Sequence, residues 1–343
     1  MILSILPLSN GSNSILSKKI CPPESDSIPK KSSAISTVCQ NIIWRKRGSG
    51  TFVRSVDQPV FKQGYNVGVI STYFSDYIFP SIVTGIERVL KANHIGMQLS
   101  ITQNQVFEES KALKTMLAQD VKGLIVEPSK SALPNPNRAL YEEIRSLNIP
   151  VVFFNANYPW SDFSCVAMDD VKAASLVTDH LFAMGHRKIS GIFALDDIQG
   201  HKRYQGFMNS FEQHSIPTAE QNVLWYSTSE KQSLFTLSSE RVLSILKDST
   251  AVVCYNDSIA VSLMNFCKEN GIKVPEDISI VGIDNAKLAS ICEVPLTTVS
   301  HPHQLLGERA AELLMQMLSQ PNTENENILF EPELVSRQSV QKL

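Results

Sequence analysis

The chain has 343 residues, too many for one ordinary core and suited to two or three lobes. Its 43% hydrophobic and 19% charged residues exclude disordered, fibrous and low-complexity classes, and its length excludes a disulfide-stapled miniprotein. The formal charge of −3 is uneven: residues 1–58 hold eight Lys/Arg against three Asp/Glu, a +5 head, which leaves 23 against 31, or −8, for the body. A polyanion such as nucleic acid or an anionic lipid surface would meet only that head.

In chain order, the opening Met-Ile-Leu-Ser-Ile-Leu-Pro-Leu is apolar for only eight residues, lacks a leading positive charge and is broken by Pro7, so it reads as a poor secretory signal. No run approaches bilayer-spanning length. The six cysteines (Cys21, Cys39, Cys165, Cys254, Cys267 and Cys292) show neither a C-x-x-C pair nor metal-finger spacing. The expectation is a cytoplasmic chain with reduced thiols and no membrane contact. Residues 7–29 are rich in Ser, Pro and Asn, with turn composition and no helical period. Trp44–Val53 then carries a hairpin signal: β-formers flank Gly48-Ser-Gly50, whose glycines can take the positive φ of a tight turn. Arg45, Lys46, Arg47 and Gly48 would sit at its tip, suited to phosphate contact or minor-groove insertion; the alternative is a solvated turn with chance basic residues. Residues 54–64 are polar and aperiodic and contain Pro59, as a linker does.

From residue 66 to 335, β-branched runs alternate with helix-period stretches, the pattern of an α/β fold with doubly wound parallel sheets. The runs fall at 66–72, 96–101, 123–127, 151–155, 165–168, 188–194, 251–255, 278–283 and 296–301. Helical periods fall at 79–93, 108–119, 139–147, 171–184, 203–214, 238–246, 259–270 and 304–318. That is more strands than one small sheet usually holds. Gly185 and Gly271 read as left-handed residues just past helix ends. In an open parallel sheet the carboxyl ends of the strands face a ligand crevice. Here those ends are polar, at 71–73, 127–130, 155–157, 169–170, 196–197, 256–257, 284–285 and 301–303. Any one of them could be only a helix cap; their clustering raises the case for a site.

The stretches Ser71-Thr-Tyr-Phe-Ser-Asp-Tyr-Ile-Phe-Pro80, Val126-Glu-Pro-Ser-Lys-Ser-Ala132, Cys254-Tyr-Asn-Asp257, Val274-Pro-Glu-Asp-Ile-Ser-Ile-Val-Gly-Ile-Asp284 and Leu296-Thr-Thr-Val-Ser-His-Pro302 resemble the effector-binding half of the lactose/galactose repressor family. Within it, the Asp-Tyr-Ile-Phe-Pro and Val-Glu-Pro-Ser-Lys stretches look most like the arabinose repressors of Gram-positive bacteria. Coverage runs from about Asn66 to Gln338. Those repressors carry a winged helix of the gluconate-repressor type, and Trp44-Arg-Lys-Arg-Gly-Ser-Gly-Thr-Phe-Val53 resembles its wing. Upstream the resemblance fails. The 13 residues between Pro29 and Ile43 have room for one helix, and Pro29-Lys-Lys-Ser-Ser33 replaces the Arg-rich start of a recognition helix. Residues 1 to about 32 are therefore expected to be the product of a frameshift or misassigned start ahead of an intact body, which the upstream DNA read in the other two frames would settle.

The resemblance implies a remnant winged-helix domain at 1–53, a linker at 54–64 and a two-lobed, periplasmic-binding-protein-like effector domain at 65–341, its lobes joined by three crossovers. The first lobe is expected to take 65–158 plus about 300–326, the second 159–299 plus 327–341. Between them a small sugar, L-arabinose by resemblance, would be held. Phe79 falls where the family stacks an aromatic, with Tyr73, Asp76 and Tyr77 in the same loop. Arg203 matches the arginine that forks to the ligand, and Asp284 the carboxylate that accepts from a hydroxyl. Asn155, Asn256 and His301 occupy other lining positions, and Glu127 and Lys130 follow from the closer arabinose-repressor likeness. Each has a plainer alternative: Phe79 as core, Arg203 as a surface partner of Asp196 or Asp197, Asp284 as a helix cap. His301 and His303, two apart on a strand, could face one metal, but no third ligand is in register and none is expected.

Function then reads as a sugar-responsive repressor of arabinose-utilisation genes, working as a homodimer that leaves operator DNA when sugar closes its lobes. Two alternatives stand beside it: a transporter's periplasmic-type sugar-binding protein, and a sugar-binding chain whose DNA head does not function. An enzyme is not expected, since there is no Gly-x-Ser-x-Gly elbow, phosphate loop or dinucleotide glycine fingerprint; no cofactor is expected either.

Overall fold

The computed structural model describes residues 43–46, 50–53, 65–75, 77–217, 222–320 and 323–343. The chain divides into two compact units, Met1–Lys62 and Gln63–Leu343. In the first, β1 (Ile43–Lys46) pairs antiparallel with β2 (Gly50–Val53), from Ile43↔Val53 to Lys46↔Gly50. This is the hairpin that β-formers around a glycine turn predict. The pairing places Arg45 and Lys46 in the first strand rather than at the tip. Arg47 and Gly48, the expected frameshifted start and the linker at 54–64 lie outside the described residues.

The second unit carries two parallel sheets. The first combines β3 (Asn66–Ser71), β4 (Gly96–Ile101), β5 (Gly123–Val126), β6 (Val151–Phe154), β7 (Ser164–Met168) and β13 (Asn327–Phe330), in the order β13-β7-β6-β5-β3-β4. The second combines β8 (Ile189–Ala194), β9 (Val223–Tyr226), β10 (Ala251–Cys254) and β11 (Ser279–Val281), in the order β11-β10-β8-β9. A short antiparallel pair, β12 (Thr298–Val299) with β14 (Leu334–Val335), lies where the chain leaves the second sheet.

Strands buried on both faces explain the β-branched runs. Val67 and Val69 of β3, with Ile125 and Phe154, pack on α1 (Phe79–Ala92) and α10 (His303–Ser319) through Ile82, Ile86, Leu306 and Leu313. Ile70, Leu124 and Phe153 face the other way, onto α2 (Val106–Ala118) and α3 (Arg138–Ser146). The second sheet is likewise sandwiched, by α4 (Asp170–Ala183) and α5 (Ile198–Gln213) on one side and by α7 (Ser239–Lys247) and α8 (Asp257–Glu269) on the other. Gly185 and Gly271 follow α4 and α8 at φ 99° and 71°, the left-handed positions their sequence context predicts.

Two differences from the sequence reading stand out. Strand β7 and strand β13 pair with each other in the first sheet, from Asn327↔Cys165 to Phe330↔Met168, so residues 164–168 and 327–330 belong with the first lobe rather than the second. The chain leaves the first sheet after Met168, returns to it at β13 after β12 and α10, and leaves it again after Phe330 to pair β14 with β12. Strand β9 and the short helices α6 (Leu234–Leu237) and α9 (Lys287–Ile291) were not expected, each being too brief to show a period.

Candidate functional site

In each sheet the strand order reverses beside its first strand, at β3/β5 and at β8/β10, and a crevice opens where the connections diverge. The carboxyl ends at both reversals line one cleft of about 720 Å³. Of the residues expected to bind ligand, Tyr73, Tyr77, Phe79, Glu127, Asn155, Arg203, Asn256 and Asp284 line it. Asp76 lies outside the described residues. Lys130 and His301 are not in the lining.

Lys130 sits instead at the rim, at φ 46°, with Nζ 3.8 Å from Asp196 of the other lobe. His301 is buried beyond β12, its ring stacked on His303 with centroids 5.0 Å apart. The strand ends at Val299 and His303 opens α10, so the two histidines do not share a strand face. His303 Nε2 lies 2.8 Å from the backbone oxygen of Asp284. Among the described residues no group of three or more His, Cys, Asp and Glu side chains suits a metal.

Arg203, from the second turn of α5, is the largest fully buried side chain among the described residues. Its Nε donates to Asp170 at 2.8 Å, one terminal nitrogen to the Tyr255 carbonyl at 2.6 Å and the other to Asp284 Oδ1 at 3.0 Å. Its guanidinium lies over the Tyr255 ring, 4.8 Å from the centroid. The surface pairing with Asp196 or Asp197 is thereby replaced by a buried triad. Burial pushes the Asp170 carboxyl up to about 6, with Arg203 pulling against it. Asp284 caps nothing, since the α9 cap position is Ala286; at φ 108° it holds its carboxylate between Arg203 and Tyr77.

The other polar groups have fixed orientations. Asn256 is the N-cap of α8, its Oδ1 accepting from Ile259 N at 3.1 Å, which leaves its amide N–H₂ as the part able to donate into the cleft. Asp197 caps α5 and accepts from Tyr255 Oη at 2.5 Å. Burial raises the Glu127 carboxyl, with hydrogen bonds from Thr72 and Asn155 working the other way. Phe79 packs partly on the α1/α10 core, lines the cleft and meets Tyr73 at 5.4 Å between ring centroids.

The lobes are tied across the cleft. Asn104 Nδ2 donates to Thr228 Oγ1 at 2.7 Å, and Ser131 Oγ donates to Asp197 Oδ1 at 2.9 Å while accepting from Ile198 N at 3.0 Å. Asn104, Tyr226, Thr228, Lys231 and Gln232 also line the cleft and were not anticipated. Most follow the unrecognised β9; Asn104, after β4, carried no strand-end signal strong enough to single it out.

Aromatic faces, a fixed donor fork and side-chain amides, in a cleft between two parallel-sheet lobes, are suited to a neutral polyhydroxy ligand. The body is thus an effector domain of periplasmic-binding-protein type. Residues 178–340 match the periplasmic binding protein-like domain family. The chain is 40% identical over 304 residues to an arabinose metabolism transcriptional repressor of Geobacillus stearothermophilus, covering 88% of this chain and 84% of that one. A protein of the same description from Halalkalibacterium halodurans is 38% identical over 310 residues, covering 87% and 82%. Among solved structures, the transcription regulator CcpA of Lactococcus lactis aligns with a TM-score of 0.72 at 26% identity, covering 81% of this chain and 100% of that one. A ribose-bound LacI-family regulator from Enterococcus faecalis V583 gives 0.69 at 25%, covering 81% and 99%. The chain belongs to the family of arabinose metabolism transcriptional repressors, with an effector body of the LacI type. It is a regulator rather than an enzyme. Among the described residues no helix is long and apolar enough to cross a membrane.

Proposed function

We propose that the chain is a cytoplasmic, homodimeric repressor of arabinose-utilisation genes whose effector, L-arabinose, occupies the 720 Å³ cleft and releases operator DNA. The observation that carries this reading is the convergence of Arg203, Asp284, Asn155 and Asn256 on the wall of one inter-lobe cleft, in a chain 40% identical to a repressor of arabinose metabolism. Phe79 offers its face to the apolar side of the pentose. Arg203 has three of its five N–H groups committed to Asp170, Asp284 and Tyr255, so two remain for hydroxyls. Closure of the lobes on the sugar changes the spacing of paired DNA heads, and a coupling of about 1–3 kcal/mol suffices for a switch. Arg45, Lys46, Arg47 and Gly48 would meet phosphates.

Titration calorimetry against a pentose and hexose panel tests the effector, with L-arabinose expected to bind most tightly; a flat panel would end the reading. A gel shift on operator DNA tests the head, with the shift expected to vanish as L-arabinose is added. Sugar binding with no shift at any protein concentration would leave a sugar-binding chain without an operator function.

A further inference from the structure

Glu127 follows β5 and Asn155 follows β6, and both line the cleft. Glu127 is buried. One of its oxygens, Oε2, accepts from Thr72 N at 2.8 Å and Thr72 Oγ1 at 2.5 Å. The other, Oε1, accepts from Asn155 Nδ2 at 2.7 Å. A carboxylate only accepts, so the Asn155 amide must turn its N–H₂ toward Glu127 and its Oδ1 away. That oxygen is buried and has no hydrogen-bond partner among the described residues, an arrangement that costs free energy unless a ligand completes it. The backbone of Asn155, at φ 63°, holds the side chain in this place.

We propose that Glu127 is a positioning residue that sets the polarity of Asn155, so that this point of the cleft presents an acceptor and selects a ligand hydroxyl able to donate to it. The inference rests on the sugar-effector reading above. Its consequence is specific. In Glu127→Gln the two Thr72 donors hold the new amide's oxygen, its N–H₂ faces Asn155, and the Asn155 amide turns over to present N–H to the cleft. A natural hydroxyl can rotate to suit either polarity. A carbon-bound fluorine cannot, because it accepts weakly and never donates.

The test is calorimetry of the full chain with L-arabinose and its singly deoxyfluorinated analogues. In the wild type, one ring position is expected to lose at least about tenfold in affinity when fluorinated. In Glu127→Gln that penalty should shrink to less than about threefold while the other positions keep theirs. Asn155→Leu, which has no amide, should lose the same penalty and provides the check if Glu127→Gln fails to fold. A penalty that persists in Glu127→Gln or in Asn155→Leu, or a wild type with no position-specific penalty, overturns the inference while leaving the sugar site in place. Failure of the wild type to bind L-arabinose or any analogue overturns both.

Discussion

The hydroxyl of Tyr77, on the segment leading into α1, crosses the cleft to donate to Asp284 Oδ2 at 2.6 Å, and it accepts from the backbone N–H of Asp257 at 3.2 Å. Tyr77 holds φ 64° to reach them, a left-handed value that a bulky residue adopts only when its surroundings enforce it. Asp284 is the residue that Arg203 grips from within the second lobe. One hydroxyl thus links the first lobe to the buried charge triad of the second. Removing that cross-cleft link should weaken effector binding by disfavouring the approach of the lobes. Tyr77→Phe is expected to bind L-arabinose about fivefold less tightly, the equivalent of about 1 kcal/mol for one lost hydrogen bond, with its ring packing retained. Calorimetry beside a thermal melt checks this: unchanged affinity would show that the hydroxyl does not help hold the lobes together.

The triad itself should govern stability. Arg203, Asp170 and Asp284 are all buried, so deleting the cation leaves two carboxylates without their partner. Arg203→Ala is expected to lose about 3–5 kcal/mol of unfolding free energy, measured by urea denaturation. Arg203→Lys, which keeps the charge but cannot reach three acceptors with a planar fork, should fall between wild type and Arg203→Ala. A loss below about 1 kcal/mol in Arg203→Ala would mean the triad is not the buried cluster described.

Why some of this was readable in the sequence follows from the range of each signal. Strands β3, β5, β6 and β10 are continuous apolar runs because both faces are covered, and Gly185 and Gly271 mark helix ends within a few residues of their cause. The β7–β13 pairing joins residues about 160 positions apart, and no local pattern encodes which sheet the last strand enters. The site shows the same division. Asp197 and Asn256 are strand-end residues that cap the next helix, so their positions were legible as caps before their place in the cleft was known. Arg203 was expected at the ligand, but its partner Asp170 sits on another helix, and the choice of Asp170 over Asp196 depends on how α4 packs against α5. His301 misled because the strand stops two residues earlier than its apolar run.

Helix packing beneath the first sheet makes a further prediction. Helices α1 and α10 approach so closely that a Cβ on Gly307 would collide with the Ile82 carbonyl, and one on Gly85 with the Gln304 carbonyl. Both obstacles are backbone, which cannot rotate aside. Gly307→Ala is therefore expected to destabilise by about 1–3 kcal/mol despite alanine's better helix propensity, read as a lower unfolding midpoint. A midpoint at or above wild type would refute the close approach.

A pH dependence should come from His301. Both ring nitrogens are buried without hydrogen-bond partners among the described residues, and burial, then the charges of His303 and Arg203, hold its pKa well below the usual 6.5. In the unfolded chain it titrates near 6.5. Above that pH neither state carries the proton. Below it the unfolded chain takes up a proton that the folded ring refuses, so stability falls toward acid by about 1.4 kcal/mol per pH unit for one such group. The nearby carboxyls act in the opposite sense. Asp170, raised to about 6 by burial, and Asp257, raised by burial and by Asp284, hold protons more tightly when folded and gain stability as pH falls. The wild-type profile is their sum, and His301→Phe isolates the histidine's share. Between about pH 7.5 and 5.5, the wild-type-minus-variant difference in unfolding free energy should drop by about 1.4 kcal/mol, about three quarters of it below 6.5. Urea denaturation at a series of pH values measures it, and a difference that stays level across the series would show that His301 is hydrated or paired in the folded chain.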